Sequence, residues 1–123
     1  MIERIQHIGY LVADLDETVA WFEKTFGGEK VGGGPLAIGR NAIFRFGQVE
    51  VDLIEPADSG NLPKDALTMH HVGYIVPDIL KEIEELKVKG FKFVAETPST
   101  NVMEQEVLMI DSTTNNKNVV VAT

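Results

Sequence analysis

Apolar residues recur along the chain at helical and at strand spacings, and the two spacings alternate. Spacings of four, three and four predict a first helix through four apolar residues: Leu15, Val19, Phe22 and Phe26. Asp14 or Asp16 can cap its N-terminus, and Gly27 can end it together with the glycine that follows. The aromatic residues of this helix, which include Trp21, are predicted to pack in the core.

The chain repeats itself with an offset of 64 residues, since Ile5–Leu15 (IQHIGYLVADL) aligns with Met69–Ile79 (MHHVGYIVPDI). The identical pairs are His7 and His71, Gly9 and Gly73, Tyr10 and Tyr74, Val12 and Val76, and Asp14 and Asp78. Helical spacing follows the second copy as well, through Ile79, Ile83 and Leu86. Pro77 and Asp78 are expected to open this second helix, and Gly90 to close it.

Short apolar runs behind each helix predict three strands in each half. In the first half they are Glu29–Val31, Asn41–Phe46 and Val49–Glu55, and in the second half Phe91–Ala95, Gln105–Ile110 and Asn118–Ala122. The segment Gly32–Pro35 is predicted to be a flexible turn between strands, which could border a ligand pocket. The prediction is a single α+β domain over 1–123, made of two β-α-β-β-β modules, about 1–56 and about 69–123, with a linker at 57–68 that is rich in Pro, Gly, Asp and Ser.

Three polar residues stand out as candidate metal ligands. Side chains alternate along a strand, so Asp52 lies on the face opposite Val51 and Leu53, which should pack on the helices. His7 and His71 hold equivalent positions in the repeat, and a pseudo-twofold arrangement of the modules would bring them together. Two imidazoles and a carboxylate suit Zn, Ni, Co, Mn or Fe. The alternative is that both histidines are inherited core or rim residues; His70 points to the opposite face and is expected to be structural.

Composition narrows the possible partners and chemistry. The chain contains no cysteine, which excludes thiol catalysis, disulfides and thiolate metal sites. Its net charge is −8 and its eleven Lys and Arg residues are scattered, so nucleic acid is not an expected partner. No apolar run approaches a membrane span and the first residues lack the apolar region of a signal peptide, so a cytoplasmic protein is expected.

The sequence resembles the vicinal oxygen chelate superfamily, which includes glyoxalase I, methylmalonyl-CoA epimerase, extradiol dioxygenases and the fosfomycin- and bleomycin-resistance proteins. The resemblance rests on Ile5–Leu15, on Trp21-Phe22 followed by Phe26-Gly27, on Val51–Pro56 and on His70–Asp78. The last two segments look most like methylmalonyl-CoA epimerase. The resemblance implies a glyoxalase-like fold, in which the two modules form a cup-shaped, partly closed sheet with helices outside, and a homodimer.

Position by position, the resemblance makes His7, Asp52 and His71 ligands of a divalent metal. The second ligand in the family is normally Glu or Gln, and the fourth, a Glu of the last strand, is replaced here by Ala122. Epimerases place a further acid–base Glu on the strand equivalent to Asn41–Phe46, where this chain has no carboxylate and its polar residues are Arg40, Asn41 and Arg45. Glu104 or Glu106 could substitute for it from a neighbouring strand, and water could fill the fourth position.

Three functions are compatible with these residues. The first is a metal-dependent isomerase, epimerase or lyase that stabilises an enolate of a small carbonyl or acyl-thioester substrate, with an unidentified base. The second is a non-catalytic binding protein without a working metal site, holding an apolar ligand among residues such as Phe44, Phe46, Met103 and Met109. The third is an extradiol-type dioxygenase, since two histidines and a carboxylate also suit non-heme iron.

Overall fold

A computed structural model describes residues 2–100, 106–110 and 119–122, with backbone only for Thr100 and for the last two ranges. The elements in chain order are β1 (Arg4–Val12), α1 (Leu15–Phe26), β2 (Glu29–Leu36), β3 (Gly39–Phe46), β4 (Val49–Pro56), a 3-10 turn (Ser59–Asn61), β5 (Leu67–Ile75), α2 (Ile79–Val88), β6 (Ser99–Thr100), β7 (Glu106–Ile110) and β8 (Val119–Ala122). No helix in the described part of the chain is long and apolar enough to cross a membrane.

Contacts divide the chain into two compact units, a first unit of residues 7–70 and a second unit of residues 1–6 and 71–123. In the first unit β1 pairs in parallel with β4, and β3 pairs antiparallel with both β4 and β2. In the second unit β5 pairs in parallel with β8, and β7 pairs antiparallel with both β8 and β6. Each half therefore has the predicted β-α-β-β-β order and repeats the strand pairing of the other.

The repeated aspartates begin the two helices in the same way. The carboxylate of Asp14 accepts a hydrogen bond from the Glu17 N–H at 3.0 Å, and that of Asp78 accepts one from the Lys81 N–H at 3.1 Å. Each bond satisfies one of the backbone donors that a helix N-terminus leaves without an intrahelical partner. The identity of Asp14 and Asp78 in the repeat is thus explained by helix capping, and the two cap predictions are confirmed.

A carboxylate at the far end of β4 ties α1 to the sheet of the first unit. Glu55 Oε2 accepts from the Leu15 N–H at 2.7 Å, and Arg40 donates to both Glu55 oxygens at 3.0 and 3.1 Å. Arg40 also reaches Asp16 on α1 at 3.3 Å. The Arg40 guanidinium and the Leu15 N–H lower the pKa of Glu55, because both stabilise its charged form.

The core of the first unit lies between α1 and the sheet. Phe44 and Phe46 belong to this core, so the prediction that they line a ligand pocket is wrong. Phe44 is fully buried and stacks on Phe22 of α1 with ring centroids 5.7 Å apart, and Phe46 packs against the same cluster. Both rings face the helix because alternate residues of β3 share that face. Of the helix aromatics only Phe22 is buried as predicted, since Trp21 is 49% exposed and Phe26 58% exposed.

The glycine-rich segment is part of a strand, so its prediction as a flexible turn is wrong. Gly32, Gly33, Gly34 and Pro35 belong to β2 and pair with β3 in register, after an irregularity between Lys30 and Gly32. A Cβ on Gly33 would meet the Asn41 carbonyl oxygen and lie 2.7 Å from the Ala42 Cα, with φ at +131°. Glycine is needed here because it lets the two strands approach closely, and not because it supplies a turn.

The strand predicted at Phe91–Ala95 is also absent from the structure. The Gly90 N–H donates to the Lys87 carbonyl and the Phe91 N–H donates to the Leu86 carbonyl, so these residues complete the C-terminus of α2. Phe93 then packs against the core cluster of α2. The apolar run favours a strand, but in the structure its Phe93 packs on α2, and the corresponding strand is the two-residue β6.

Replacing Glu55 by Gln should lower the free energy of unfolding by about 1 kcal/mol at pH 7, because the charge that pairs with Arg40 is lost. The folded pKa of Glu55 lies below its ordinary value of 4.5, so its stabilisation is present above that value and lost as the pH falls through the folded pKa. Urea unfolding of both proteins at pH 7 and pH 3 measures the effect. Glu23→Gln on the exposed side of α1 is the control, and an equal deficit at both pH values would contradict the assignment.

Replacing Gly33 by Ala should destabilise the protein by about 2 kcal/mol more than replacing Gly34 by Ala. Both residues have positive φ, at +131° and +152°, but a Cβ on Gly34 meets nothing within 4 Å. The difference between the two variants therefore isolates the clash with β3 from the backbone strain. Thermal or urea unfolding gives the comparison, and equal losses would show that β2 does not approach β3 closely at Gly33.

Candidate functional site

Strand pairing aligns charged side chains in a row on one face of the first unit. In the parallel pair β1–β4 His7 is the partner of Glu50, and in the antiparallel pair β3–β4 Glu50 is the partner of Arg45. Partner residues in adjacent strands project to the same face of a sheet. Glu50 therefore lies between an imidazole and a guanidinium, with one of its oxygens 4.0 Å from an Arg45 nitrogen.

Asp52 belongs to the next row of the same face. Its partners are Gly9 on β1 and Ile43 on β3. His7 and Asp52 are thus diagonal neighbours, with about 8 Å between their Cα atoms. Because Gly9 has no side chain, nothing from β1 stands directly beside the Asp52 carboxylate in its row. His7, Gly9 and the two β4 carboxylates, Glu50 and Asp52, therefore share one face.

One hydrogen bond holds the Asp52 carboxylate from the side of β3, and a second holds its donor, Asn41. The Asn41 side-chain nitrogen donates to Asp52 Oδ1 at 2.8 Å, and the Asn41 side-chain oxygen accepts from the Gly34 N–H at 3.1 Å. Among the residues that the structure describes, Asp52 Oδ2 takes no part in a hydrogen bond with another side chain. Asp52 is therefore held through one oxygen.

Burial shifts the titration of both His7 and Asp52 toward their neutral forms. Desolvation lowers the pKa of the His7 imidazole. It also raises the pKa of Asp52, an effect opposed by the hydrogen bond from Asn41 and increased by the charge of Glu50. A neutral imidazole keeps the lone pair that a metal ligand needs.

Two residues of this face, Glu50 and Asn41, were not selected as candidates from the sequence. Glu50 is only 8% exposed, although its neighbours in the row are charged or polar. The alternation along β4 already placed it on the face of Asp52, but its position opposite His7 depends on the register with β1. Asn41 has no assigned role in the sequence, whereas the structure shows its side chain bonded to Asp52.

The donor types of His7 and Asp52 suit a divalent cation. His71 is 8% exposed and belongs to the second unit. Among the described residues no three His, Cys, Asp or Glu side chains form a group that could hold a metal ion. The proposal of His7, Asp52 and His71 as one ligand set therefore rests on the sequence alone.

The remaining candidates lie at or beyond the edge of the described structure. Ala122, at the fourth ligand position of the family, pairs with Ile75 through its backbone. Its side chain and those of Glu106 and Met109 lie outside the described part, as do the whole of Met103 and Glu104.

A cavity of about 680 Å³ opens in the first unit, beside the start of α1. Its lining includes Leu15, Val19, Arg40, Ala42 and Glu55. The lining also includes Gly34 and Asn41, but it includes none of His7, Glu50 and Asp52.

Comparison with known proteins gives a family and a set of similar structures. The family model described as Glyoxalase/Bleomycin resistance protein/Dioxygenase superfamily matches residues 6–106. A Streptomyces coelicolor methylmalonyl-CoA epimerase in complex with 2-nitronate-propionyl-CoA is 22% identical, with a TM-score of 0.84 over 100% of this chain and 98% of that one. A search of curated protein sequences gave no match.

Two further structures extend the likeness. The methylmalonyl-CoA epimerase of Mycobacterium tuberculosis is 19% identical, with a TM-score of 0.84 over 98% of this chain and 87% of the other. A hypothetical protein from Bacillus halodurans is 18% identical, with a TM-score of 0.80 over 97% and 92%. Likeness at these identities establishes the fold, so the predicted α+β, glyoxalase-like fold is confirmed. The family model matches most of the chain, and the chain therefore belongs to the Glyoxalase/Bleomycin resistance protein/Dioxygenase superfamily.

Proposed function

We propose that this protein is an enzyme that transfers a proton at the carbon next to the carbonyl group of a small acyl thioester or related carbonyl compound. The observation that carries the proposal is the row of His7 and Glu50 on β1 and β4, with Asp52 on the same face. It supplies an imidazole and two carboxylates on strands of one unit. Proton transfer next to a carbonyl needs a base within reach and a group that stabilises the enolate.

The substrate class is suggested by the similar structures. Two of them are methylmalonyl-CoA epimerases in complex with 2-nitronate-propionyl-CoA and with methylmalonyl-CoA. Both ligands are small acyl groups linked to coenzyme A. The sequence identity to these proteins is only 22%. The acyl thioester is therefore the first substrate class to test and not an assigned substrate.

A divalent metal belongs to the proposal, with His7, Asp52 and His71 as its ligands. The metal would act as a Lewis acid that stabilises the negative charge of the enolate oxygen. Burial favours the neutral imidazole of His7, which is the form that binds metal, and Asn41 orients the carboxylate of Asp52. Assembly as a homodimer is a separate prediction from the resemblance.

Glu50 is the proposed proton acceptor. The resemblance implies two further carboxylates, one at the position of Ala122 and one on the strand β3, and this chain has neither of them. Of the carboxylates placed on the site face, Asp52 is assigned to the metal, which leaves Glu50. It is the register partner of His7, and an Arg45 nitrogen lies 4.0 Å from one of its oxygens.

Proton exchange in D₂O tests the proposed reaction directly. The purified protein, with Co²⁺, Ni²⁺, Zn²⁺ or Mn²⁺ added in turn, should exchange the proton at C2 of methylmalonyl-CoA or of a related acyl thioester, as followed by ¹H NMR. Elemental analysis should find about one metal ion per chain in the active protein, and His7→Ala should reduce both metal content and exchange. Failure of every metal form to exchange any acyl thioester would refute the proposal.

The variant Glu50→Gln separates proton transfer from metal binding. We expect it to keep its metal content and to slow exchange by at least about 10²-fold, as is typical when a general base is removed. Glu23→Gln on the exposed side of α1 makes the same chemical change away from the site and should exchange at the wild-type rate. Circular dichroism checks that each variant is folded. Wild-type exchange in Glu50→Gln would remove Glu50 from the mechanism.

A further inference from the structure

We propose that Asn41 is a positioning residue that fixes the Asp52 carboxylate and determines which of its two oxygens is offered to a ligand. The inference rests on the proposed function, because it concerns the same site. It adds a role for Asn41, which belongs to the strand where the resemblance to epimerases implies a further carboxylate. The hydrogen-bond directions, the strand register and the backbone of β2 support it independently of any charge state.

The orientation of the Asn41 amide follows from its two partners. A backbone N–H can only donate, so the Asn41 atom facing the Gly34 N–H at 3.1 Å must be the amide oxygen. The amide nitrogen then faces Asp52, and it donates to Oδ1 at 2.8 Å. In the flipped amide, the Asn41 nitrogen would face the Gly34 N–H, which is also a donor. The Asn41 oxygen would face Asp52 Oδ1, which is also an acceptor.

The backbone that holds Asn41 is itself fixed. Gly34 is the register partner of Asn41 in the β2–β3 pair, so the N–H that holds the amide belongs to the adjacent strand. Gly33 allows this approach, since any Cβ there would meet the backbone of β3 at Asn41 and Ala42. A short chain of contacts thus runs from the glycine-rich part of β2 through Asn41 to Asp52.

The consequence is that Asp52 presents its second oxygen, Oδ2, to a ligand. With Oδ1 occupied by Asn41, a metal ion would meet Asp52 through one oxygen and not through both. Aspartate has one methylene fewer than the Glu or Gln that is usual at this position, so it has less freedom to adjust its reach. Fixing its orientation therefore matters more here than it would for a longer side chain.

A double-mutant cycle in stability tests whether the two side chains act as a pair. Asn41→Ala, Asp52→Ala and the double variant are compared with the wild type by urea unfolding in the presence of EDTA. If Asn41 holds Asp52, the shift in unfolding midpoint of the double variant should differ from the sum of the single shifts. Additive shifts would overturn the inference. This measurement needs neither metal nor substrate.

A second cycle uses the affinity for Co²⁺ alone, measured by calorimetry, as its readout. Asn41→Ala should weaken binding by about tenfold, as expected for a residue that orients a metal ligand. In the Asp52→Ala background the same change should have little further effect. Asn61→Ala, an exposed asparagine in the 3-10 turn, is the control and should bind Co²⁺ as the wild type does.

The two cycles separate failure of the inference from failure of the proposed function. Wild-type protein that binds no Co²⁺ but shows a non-additive stability cycle would refute the proposed metal and support the pairing of Asn41 with Asp52. Co²⁺ binding that is unchanged in Asn41→Ala would overturn the inference and leave the proposed metal site intact. Non-additivity in both cycles is the result expected.

Discussion

The parallel pairing of β1 with β4 is the constraint on which the site face of the first unit depends. Side chains alternate along a strand, so a slip of one residue would exchange the buried and polar faces of β1 relative to β4. The register is favoured by apolar burial on the other face, where Tyr10 is the partner of Leu53 and both pack beneath α1. The polar row is thus fixed by the apolar residues that are its immediate neighbours along each strand.

The polar face shows how partly buried acidic groups are accommodated in this unit. A buried carboxylate loses hydration, and hydrogen bonds or opposite charges must replace it. Asp52 receives a neutral donor from Asn41, whereas Glu50 lies near the positive charge of Arg45. The two carboxylates therefore have different partners, although Glu50 and Asp52 are only two residues apart in the chain. The proposed roles of the two carboxylates require such a difference in surroundings.

The sequence predicted most of the secondary structure because the repeat and the helical spacing are strong signals. Asp14 and Asp78 could be assigned as caps since capping depends on local sequence alone. Gly32–Pro35 was predicted wrongly because glycine signals either a turn or a close strand contact, and only the position of β3 decides between them. Phe91–Ala95 was predicted wrongly because a short apolar run can cover a helix as well as form a strand.

The face on which Asp52 lies was predictable from the sequence, but the neighbours of Asp52 and Glu50 on that face were not. Alternation along β4 placed Asp52 on a polar face, and this needed one strand only. The pairing of Glu50 with His7 needs the register between strands about 40 residues apart, and the bond from Asn41 to Asp52 needs the register of β3 with β4. The sequence contains these residues but not the register that relates them.

The aromatic contacts of α1 have a practical consequence for following the folding of this chain. Trp21 is the single tryptophan and lies edge-on to Phe22 and Phe26, all within the first unit. Its fluorescence therefore reports on that unit alone, whereas far-ultraviolet circular dichroism reports on both helices. If the two signals changed at different denaturant concentrations, the halves of this duplicated chain would lose their structure in separate steps.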